Sequence, residues 1–146
     1  MKRFVCCLLL ISILFSNVAL ASSSKIDKVL SIAVKQIGTP YEFVSNVPKS
    51  FNCFSFVAYC FNKVQSGIIS QSGVSGNYKK ISLVKDVKVG DILVFKSSSF
   101  LSGIMGYHFG IYLGHGYFIH ANKNDGVTVS KLKLYKKRFV GAIRVF

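Results

Sequence analysis

The sequence predicts an α+β domain in which N-terminal helices pack on an antiparallel β-sheet. Two amphipathic helical patterns come first, and short segments rich in Val, Ile, Phe and Tyr follow from residue 92 onward. Helices grouped before strands are typical of α+β domains, whereas regular alternation of strands and helices would predict α/β. The length of 146 residues favours one domain.

The first 21 residues have the pattern of a secretory signal peptide. The basic pair Lys2-Arg3 precedes an apolar stretch from Phe4 to Leu20, which reaches the small-x-small cleavage motif Ala19-Leu20-Ala21. This stretch is short for a membrane span, which needs about 20 apolar residues. We therefore expect export to the periplasm or the extracellular space and a mature domain at residues 22–146. An uncleaved N-terminal anchor is the alternative.

The chain is strongly basic. Nineteen lysines and arginines against five acids give a formal charge of +14, and loss of Lys2 and Arg3 with the signal lowers it by two, to +12. A basic exported protein favours an anionic partner, such as a phosphate-bearing envelope polymer, acidic lipid headgroups or an acidic substrate. We expect no nucleic-acid partner, because the lysines are spread along the chain without a recognisable binding motif.

Two helices are predicted before the strands. The first begins after serines 22–24, which can cap it, and its apolar residues recur at three- and four-residue spacing until Gly38 and Pro40 end the pattern. Asn52 can cap a second helix from about Cys53 to Val64. A loop is predicted at residues 39–50 and a Ser- and Gly-rich connector at residues 65–77.

The strand segments follow a turn at Lys88-Val89-Gly90-Asp91. The pattern predicts strands at Ile92–Phe95, Tyr107–Leu113, Tyr117–Ala121, Val127–Ser130 and Phe139–Phe146. Asp91 is predicted to make turn hydrogen bonds, and His115 is predicted to be an exposed turn residue between two glycines.

The two cysteines of the mature chain, Cys53 and Cys60, are not expected to form a disulfide. Seven residues of helix rise about 10.5 Å, and a disulfide requires Cα atoms within about 7 Å. Cys60 is predicted to be a small buried apolar residue.

Cys53 has the position of a thiol nucleophile. A helix N-terminus lowers the pKa of a cysteine and raises its thiolate fraction. An imidazole can then serve as general base, and a further polar group can hold that imidazole in one tautomer. We assign Cys53 as nucleophile, His108 as base and then acid, and His120 as the orienting group. These residue types predict acyl transfer, most simply amide hydrolysis, with the Cys53 backbone N–H contributing to the oxyanion site.

This hypothesis depends on the hairpin between the two histidine-bearing strands. A three-residue loop at Gly114-His115-Gly116 would pair Leu113 with Tyr117, and His120 would then face the same side as His108. A two-residue loop alone shifts the pairing by one residue and puts the histidines on opposite faces. The hypothesis therefore requires the three-residue loop or a β-bulge. A zinc site at Cys53, His108 and His120 lacks the close ligand spacing typical of zinc, so we expect neither metal nor cofactor.

The same segments make the chain resemble the NlpC/P60 family of cysteine peptidases. The resemblance covers nearly the whole mature chain, in order, at Ile37–Tyr41, Phe51–Val57, Val89–Phe95, His108–Gly114, Gly116–Ala121 and Gly141–Val145. It implies a papain-like fold, a Cys-His-His triad at Cys53, His108 and His120, and Tyr41 close to the nucleophile as substrate-binding or oxyanion support. It further implies cleavage of peptidoglycan stem peptides, often between D-glutamate and a diamino acid.

The sequence departs from the family pattern at the nucleophile. The family usually has Asp-Cys-Ser-Gly where this chain has Asn52-Cys53-Phe54-Ser55, so an uncharged cap and a bulky side chain flank the thiol. The segment from Ser97 to Tyr107 is apolar and can line the substrate groove or contact a membrane surface through Phe100, Leu101, Ile104 and Met105. The alternative functions are a thiol hydrolase or acyltransferase of the same fold acting on a lipid or other acyl substrate, and a catalytically degenerate envelope-binding module.

Overall fold

The computed structural model describes residues 24–97 and 106–146. The expected signal peptide at residues 1–21 lies outside these ranges, and so do the proposed membrane-contact residues Phe100, Leu101, Ile104 and Met105. Within the two described ranges, no helix combines the length and the apolar character needed to cross a membrane.

Within the described ranges, two α-helices precede a six-stranded antiparallel sheet and share a hydrophobic cluster with it. Helix α1 spans Lys25–Lys35 and helix α2 spans Cys53–Val64. A two-stranded ribbon follows, formed by β1 at Ile69–Ser70 and β2 at Gly73–Val74. The main sheet has the order β3-β8-β4-β5-β6-β7, with strands at Lys79–Ile81, Ile92–Lys96, Tyr107–Gly114, Tyr117–Asn122, Gly126–Lys131 and Phe139–Arg144 for β3 to β8. The predicted α+β fold is confirmed.

Side-chain caps fix where both helices begin. Ser24 Oγ accepts a hydrogen bond from the Asp27 N–H, and the Asp27 carboxylate accepts one from the Ser24 N–H. Asn52 and Ser55 make the same reciprocal pair at the start of α2. Such a capping box satisfies two N–H groups that have no partner inside the helix. The predicted start of α2 is therefore confirmed, and it puts Cys53 in the first helical position.

The sheet separates two hydrophobic clusters. The larger cluster joins the helices to one face of the sheet, and includes Val29, Phe56, Phe61, Ile111 and Ile119, all fully buried. The smaller cluster lies on the other face, around Phe95, Phe118, Leu93 and Leu132. Each fully buried side chain of this size contributes about 1.5–3 kcal/mol relative to exposure. Cys60 belongs to the larger cluster and neither it nor Cys53 is in a disulfide, as predicted.

Three short strands were not predicted from the sequence. The segment from 65 to 77, predicted as a connector, contains β1 and β2, and β3 forms the edge of the main sheet. Strand β3 pairs with β8, so that Lys79 lies opposite Arg144 and Ile81 lies opposite Ala142. These strands have only two or three residues each, which is too few for an alternating pattern. Pairing with a distant strand, not local sequence, makes β3 extended.

The β5–β6 hairpin contains a β-bulge. The expected pair of Leu113 with Tyr117 is wrong, because Gly114 pairs with Tyr117 and Leu113 is the extra residue. The turn has two residues, with a φ of 52° at His115 and 78° at Gly116, as the tight primed hairpin turns require. His115 is exposed, as predicted.

The bulge restores the register that the catalytic hypothesis needs. Beyond it, Ile111 pairs with Ile119, so His108 and His120 point to the same face of the sheet. Without the extra residue, the turn alone would shift the pairing by one position and put the two histidines on opposite faces.

Asp91 lies just before β4 and makes contacts with the turn that precedes it and with the end of β8. Its carboxylate accepts a hydrogen bond from the Lys88 N–H at 2.8 Å, which confirms the predicted turn role. It also forms an ion pair with Arg144 at 2.8 Å while being only 1% exposed. The carboxylate thus ties the turn before β4 to the last residue of β8, an interaction that the sequence did not predict.

Candidate active site

Cys53 lies at the first position of α2 and is buried. The adjacent ring of Phe54 packs edge-to-face on Phe109, with 5.8 Å between ring centroids. Because Phe109 follows His108 directly, this contact brings together the chain neighbours of Cys53 and His108. The first turn of α2 therefore packs beside the start of β5.

The imidazoles of His108 and His120 are in direct contact. His108 Nε2 lies 2.6 Å from His120 Nδ1, and the rings are nearly perpendicular at 87°. Both side chains are buried. Since Nε2 of His108 is engaged by His120, Nδ1 is the ring nitrogen that remains to accept a proton from a thiol.

A hydroxyl completes this arrangement on the far side of His120. Ser130 Oγ lies 2.9 Å from His120 Nε2. If His108 is to accept a proton at Nδ1, its Nε2 must carry hydrogen and donate to His120. His120 must then carry hydrogen on Nε2 and donate to Ser130. Ser130 was not predicted from the sequence. In the β6–β7 register His120 pairs with Thr128, and Ser130, two residues further along β7, lies on the same face of the sheet as His120.

The environment keeps both imidazoles neutral. Burial first, and the positive charge of Arg138 second, lower the pKa of His108 to about 4. Burial, then His108, then Arg138 lower the pKa of His120. Arg138 is held near the pair through Tyr135: its guanidinium lies 4.6 Å from the Tyr135 ring, and that ring lies 5.5 Å from His120. A neutral imidazole is the form that acts as a base.

Tyr41 places a buried hydroxyl near Cys53. The hydroxyl oxygen has no hydrogen-bond partner in the described part of the chain, and burial first and Cys53 second raise the pKa of Tyr41. The residue is positioned by a parallel bridge to Phe51, two residues before Cys53. An unpaired buried donor costs about 1–3 kcal/mol.

Cys60 provides a contrast with Cys53 on the same helix. It lies in the hydrophobic cluster, and burial raises the pKa of its thiol, so it remains a protonated, unreactive group. Among residues 24–97 and 106–146, no three His, Cys, Asp or Glu side chains are grouped so as to hold a metal ion.

The sequence profile of the NlpC/P60 family matches residues 38–144. The chain belongs to the NlpC/P60 family. This confirms the resemblance drawn from the sequence motifs, and the matched range includes Tyr41, Cys53, His108, His120 and Ser130.

Named NlpC/P60 relatives are similar over most of the chain. It is 33% identical over 125 residues to the probable peptidoglycan endopeptidase LytE of Bacillus subtilis, covering 84% of this chain and 35% of LytE. It is 32% identical over 121 residues to the gamma-DL-glutamyl hydrolase of the same bacterium, covering 80% of this chain and 28% of that enzyme. The chain thus spans about a third of the length of these relatives.

Solved NlpC/P60 structures share the fold. The NlpC/p60 domain of the peptidoglycan hydrolase SagA superposes with a TM-score of 0.64 at 29% identity, covering 81% of this chain and 97% of that one. RipD of Mycobacterium tuberculosis, a non-catalytic NlpC/p60 domain protein, superposes with a TM-score of 0.61 at 17% identity, covering 83% and 96% of the two chains. Because a non-catalytic protein has this fold, the fold alone does not distinguish a hydrolase from a binding module.

Asn52 and Phe54 flank Cys53, and both side chains have partners in the fold. Asn52 accepts from the Ser55 N–H and donates its amide to the Phe43 carbonyl at 2.9 Å, so the cap is held without a negative charge beside the thiol. Phe54 is half-buried and lines, with Tyr59 and Lys63, a groove of about 620 Å³ along α2. The bulky residue is therefore part of a packed surface next to the nucleophile.

Proposed function

We propose that this NlpC/P60 domain is an exported cysteine endopeptidase that cleaves peptidoglycan stem peptides between D-glutamate and a diamino acid. In this proposal residues 1–21 are the signal peptide and residues 22–146 the catalytic domain. The observation that carries it is the buried hydrogen-bonded row from His108 through His120 to Ser130. The two imidazoles of this row are neutral, and each can hold its proton on the ring nitrogen that faces the next group. These are the properties of a general base with its orienting partners.

The reaction begins with proton transfer from the Cys53 thiol to Nδ1 of His108. The sulfur attacks the carbonyl carbon of the amide, and the carbonyl oxygen becomes an oxyanion. The Cys53 backbone N–H and the Tyr41 hydroxyl donate hydrogen bonds to that oxygen. The unpaired, protonated state of the Tyr41 hydroxyl supports this role.

The second half of the reaction returns the enzyme to its starting state. The His108 imidazolium protonates the leaving amine, the C–N bond breaks, and a thioester to Cys53 remains. His108 then takes a proton from water as the hydroxide attacks the thioester, and the acid product leaves as the thiol is reprotonated. His120 keeps Nε2 of His108 oriented throughout, so that Nδ1 exchanges the proton at each step.

The similarity to named enzymes supports the substrate class. LytE is named a probable peptidoglycan endopeptidase, which fits a peptide of peptidoglycan, and another relative is named a gamma-DL-glutamyl hydrolase, which fits an amide bond at glutamate. The mature domain, with a formal charge of +12 after loss of Lys2 and Arg3, is suited to an anionic polymer.

Digestion of purified peptidoglycan by residues 22–146 tests the proposal directly. We expect the wild-type domain to release peptides whose masses identify a cut between D-glutamate and the diamino acid. The Cys53→Ala variant should release none while keeping its circular dichroism spectrum. Cys60→Ala, which removes the other thiol of α2, is the matched control and should retain activity.

Two outcomes would contradict the proposal. Fragments from the Cys53→Ala variant would exclude this thiol as the nucleophile. A folded wild-type domain that binds peptidoglycan but releases no peptide would indicate a binding module, as in the non-catalytic RipD.

A further inference from the structure

A basic groove lies at the β3 edge of the sheet. Its volume is about 510 Å³, and it is formed by β3, the segment that follows it and the end of β8. Four of the ten residues from 79 to 88 are lysines that line this groove, namely Lys79, Lys80, Lys85 and Lys88. We call it the lysine groove.

Most of the positive charge of the lysine groove is uncompensated. All four lysines are exposed, and none forms an ion pair or side-chain hydrogen bond with the described part of the chain. Arg144 also lines the groove, but its charge is neutralised by Asp91, which binds it through two hydrogen bonds of 2.8 Å. Four lysines and the single acid Asp86 leave a formal charge of +3 in the lining.

The lysine groove is remote from the histidine pair. Strand β8 runs from Phe139, which pairs with Phe95 beside His108, to Arg144, which pairs with Lys79. Five residues of strand separate its ends by roughly 17 Å. A chain bound in the groove therefore leaves the candidate active site open.

We propose that the lysine groove binds a linear phosphodiester polymer of the cell envelope and holds the domain on its insoluble substrate. The uncompensated +3 charge attracts a polyanion. A concave groove with lysines along its length follows a flexible chain, and each ammonium can release a counterion from a phosphate. Binding of the polymer does not depend on catalysis, whereas the role in holding the domain on a substrate rests on the proposed function.

The residues that line the groove favour a phosphodiester polymer over a membrane surface and over single-stranded nucleic acid. A membrane surface is bound by a face that presents apolar anchors beside its cations, whereas this basic surface is concave and only Leu83 among its apolar residues is largely exposed. Single-stranded nucleic acid is usually bound by stacking of bases on aromatic side chains, and none of the described residues that line the groove is aromatic.

Binding of soluble poly(glycerol phosphate) to the mature chain tests the proposal. Affinity is measured at several salt concentrations for the wild type, for Lys80→Gln/Lys85→Gln, and for Lys28→Gln/Lys35→Gln. The last variant removes the same charge from exposed lysines of α1 and is the matched control. We expect the groove variant to bind about tenfold more weakly. The negative slope of log K against log salt should become less steep by about 1.4, because each phosphate that a lysine neutralises adds about 0.7 to its magnitude.

Each alternative result would overturn the proposal. Equal losses of affinity in both variants would show that net charge, not the groove, binds the polymer. No binding by the wild type at low salt, or tighter binding to phosphatidylglycerol vesicles or to single-stranded DNA, would exclude a phosphodiester wall polymer as the partner. Hydrolysis of a soluble stem peptide, measured in parallel, should be unchanged in the groove variant, and its absence in the wild type would contradict only the proposed function.

Discussion

The proton positions on the two imidazoles depend on the hydroxyl of Ser130. His120 can carry its hydrogen on either ring nitrogen, and only the form protonated on Nε2 leaves Nδ1 free to accept from His108. With Ser130 Oγ 2.9 Å from Nε2, the hydroxyl oxygen can accept the hydrogen of that form. We therefore expect Ser130 to be a positioning residue that acts on the proposed base through His120.

Replacement of Ser130 by alanine should slow the reaction without weakening substrate binding. The Nε2 hydrogen of His120 would lose its acceptor, and removal of a buried hydrogen bond of about 1.4 kcal/mol corresponds to roughly a tenfold lower kcat. KM should stay within about twofold. Ser130→Thr keeps the hydroxyl and should restore the rate.

Nitrogen NMR of the histidines distinguishes positioning from a general structural effect. In Ser130→Ala the Nε2-protonated population of His120 should decrease, and Ser130→Thr should restore it. A variant with unchanged tautomers and unchanged kcat would contradict the role assigned to Ser130.

Local patterns predict some of these residues and not others. Asn52 and Cys53 could be assigned from a capping residue before an apolar helical stripe, a signal contained within a few residues. Ser130 and Tyr135 could not, because their contacts with His120 depend on the register of a second hairpin and on the path of the chain after β7.

Strand β6 carries His120 and packs closely against Gly110 of β5. A Cβ atom at Gly110 would lie 2.6 Å from Phe118 Cδ2 and 2.9 Å from the Ile119 carbonyl oxygen. Both distances are too short for real contacts, and Phe118 is fully buried, so its ring has little room to move. The glycine therefore allows the close approach of the two histidine-bearing strands.

Gly110→Ala should destabilise the domain and reduce its activity together. Overpacking of this kind costs about 1–3 kcal/mol, and the shift of β6 would separate His120 from His108. Thermal melting and peptide hydrolysis measure the two effects. Gly110→Ala/Phe118→Leu, which shortens the blocking side chain, should recover part of the stability, and a single variant that melts like the wild type would contradict this role of Gly110.

Helix bounds and most strands follow from the sequence, but hairpin details and short edge strands do not. Helix α2 begins and ends where the cap and apolar periodicity predict. The β5–β6 bulge was one of two arrangements compatible with the catalytic hypothesis, and paired glycines on both sides of His115 permit either. Strand β3 depends on β8, which lies much later in the chain, and no local pattern contains that information.

Burial of two imidazoles couples the candidate active site to the stability of the whole domain. The folded pKa values of His108 and His120 lie below the ordinary histidine value of about 6.5. Between the unfolded and folded values the unfolded chain binds more protons, so stability rises with pH in that window. The contribution of the two neutral imidazoles to the free energy of unfolding is fully present above about pH 6.5. It is lost as pH falls through the pKa values of the folded state, near pH 4 for His108.

The free energy of unfolding should therefore decrease as pH falls from about 7 to about 5, above the range where carboxylates titrate. Each buried histidine contributes a slope of up to about 1.4 kcal/mol per pH unit. Urea unfolding at half-unit steps measures it. His120→Asn should flatten the slope whatever its effect on absolute stability, whereas His115→Asn, which changes the exposed turn residue, should leave it intact. A slope that is absent in the wild type, or equally steep in His120→Asn, would show that the imidazoles are not held neutral by burial.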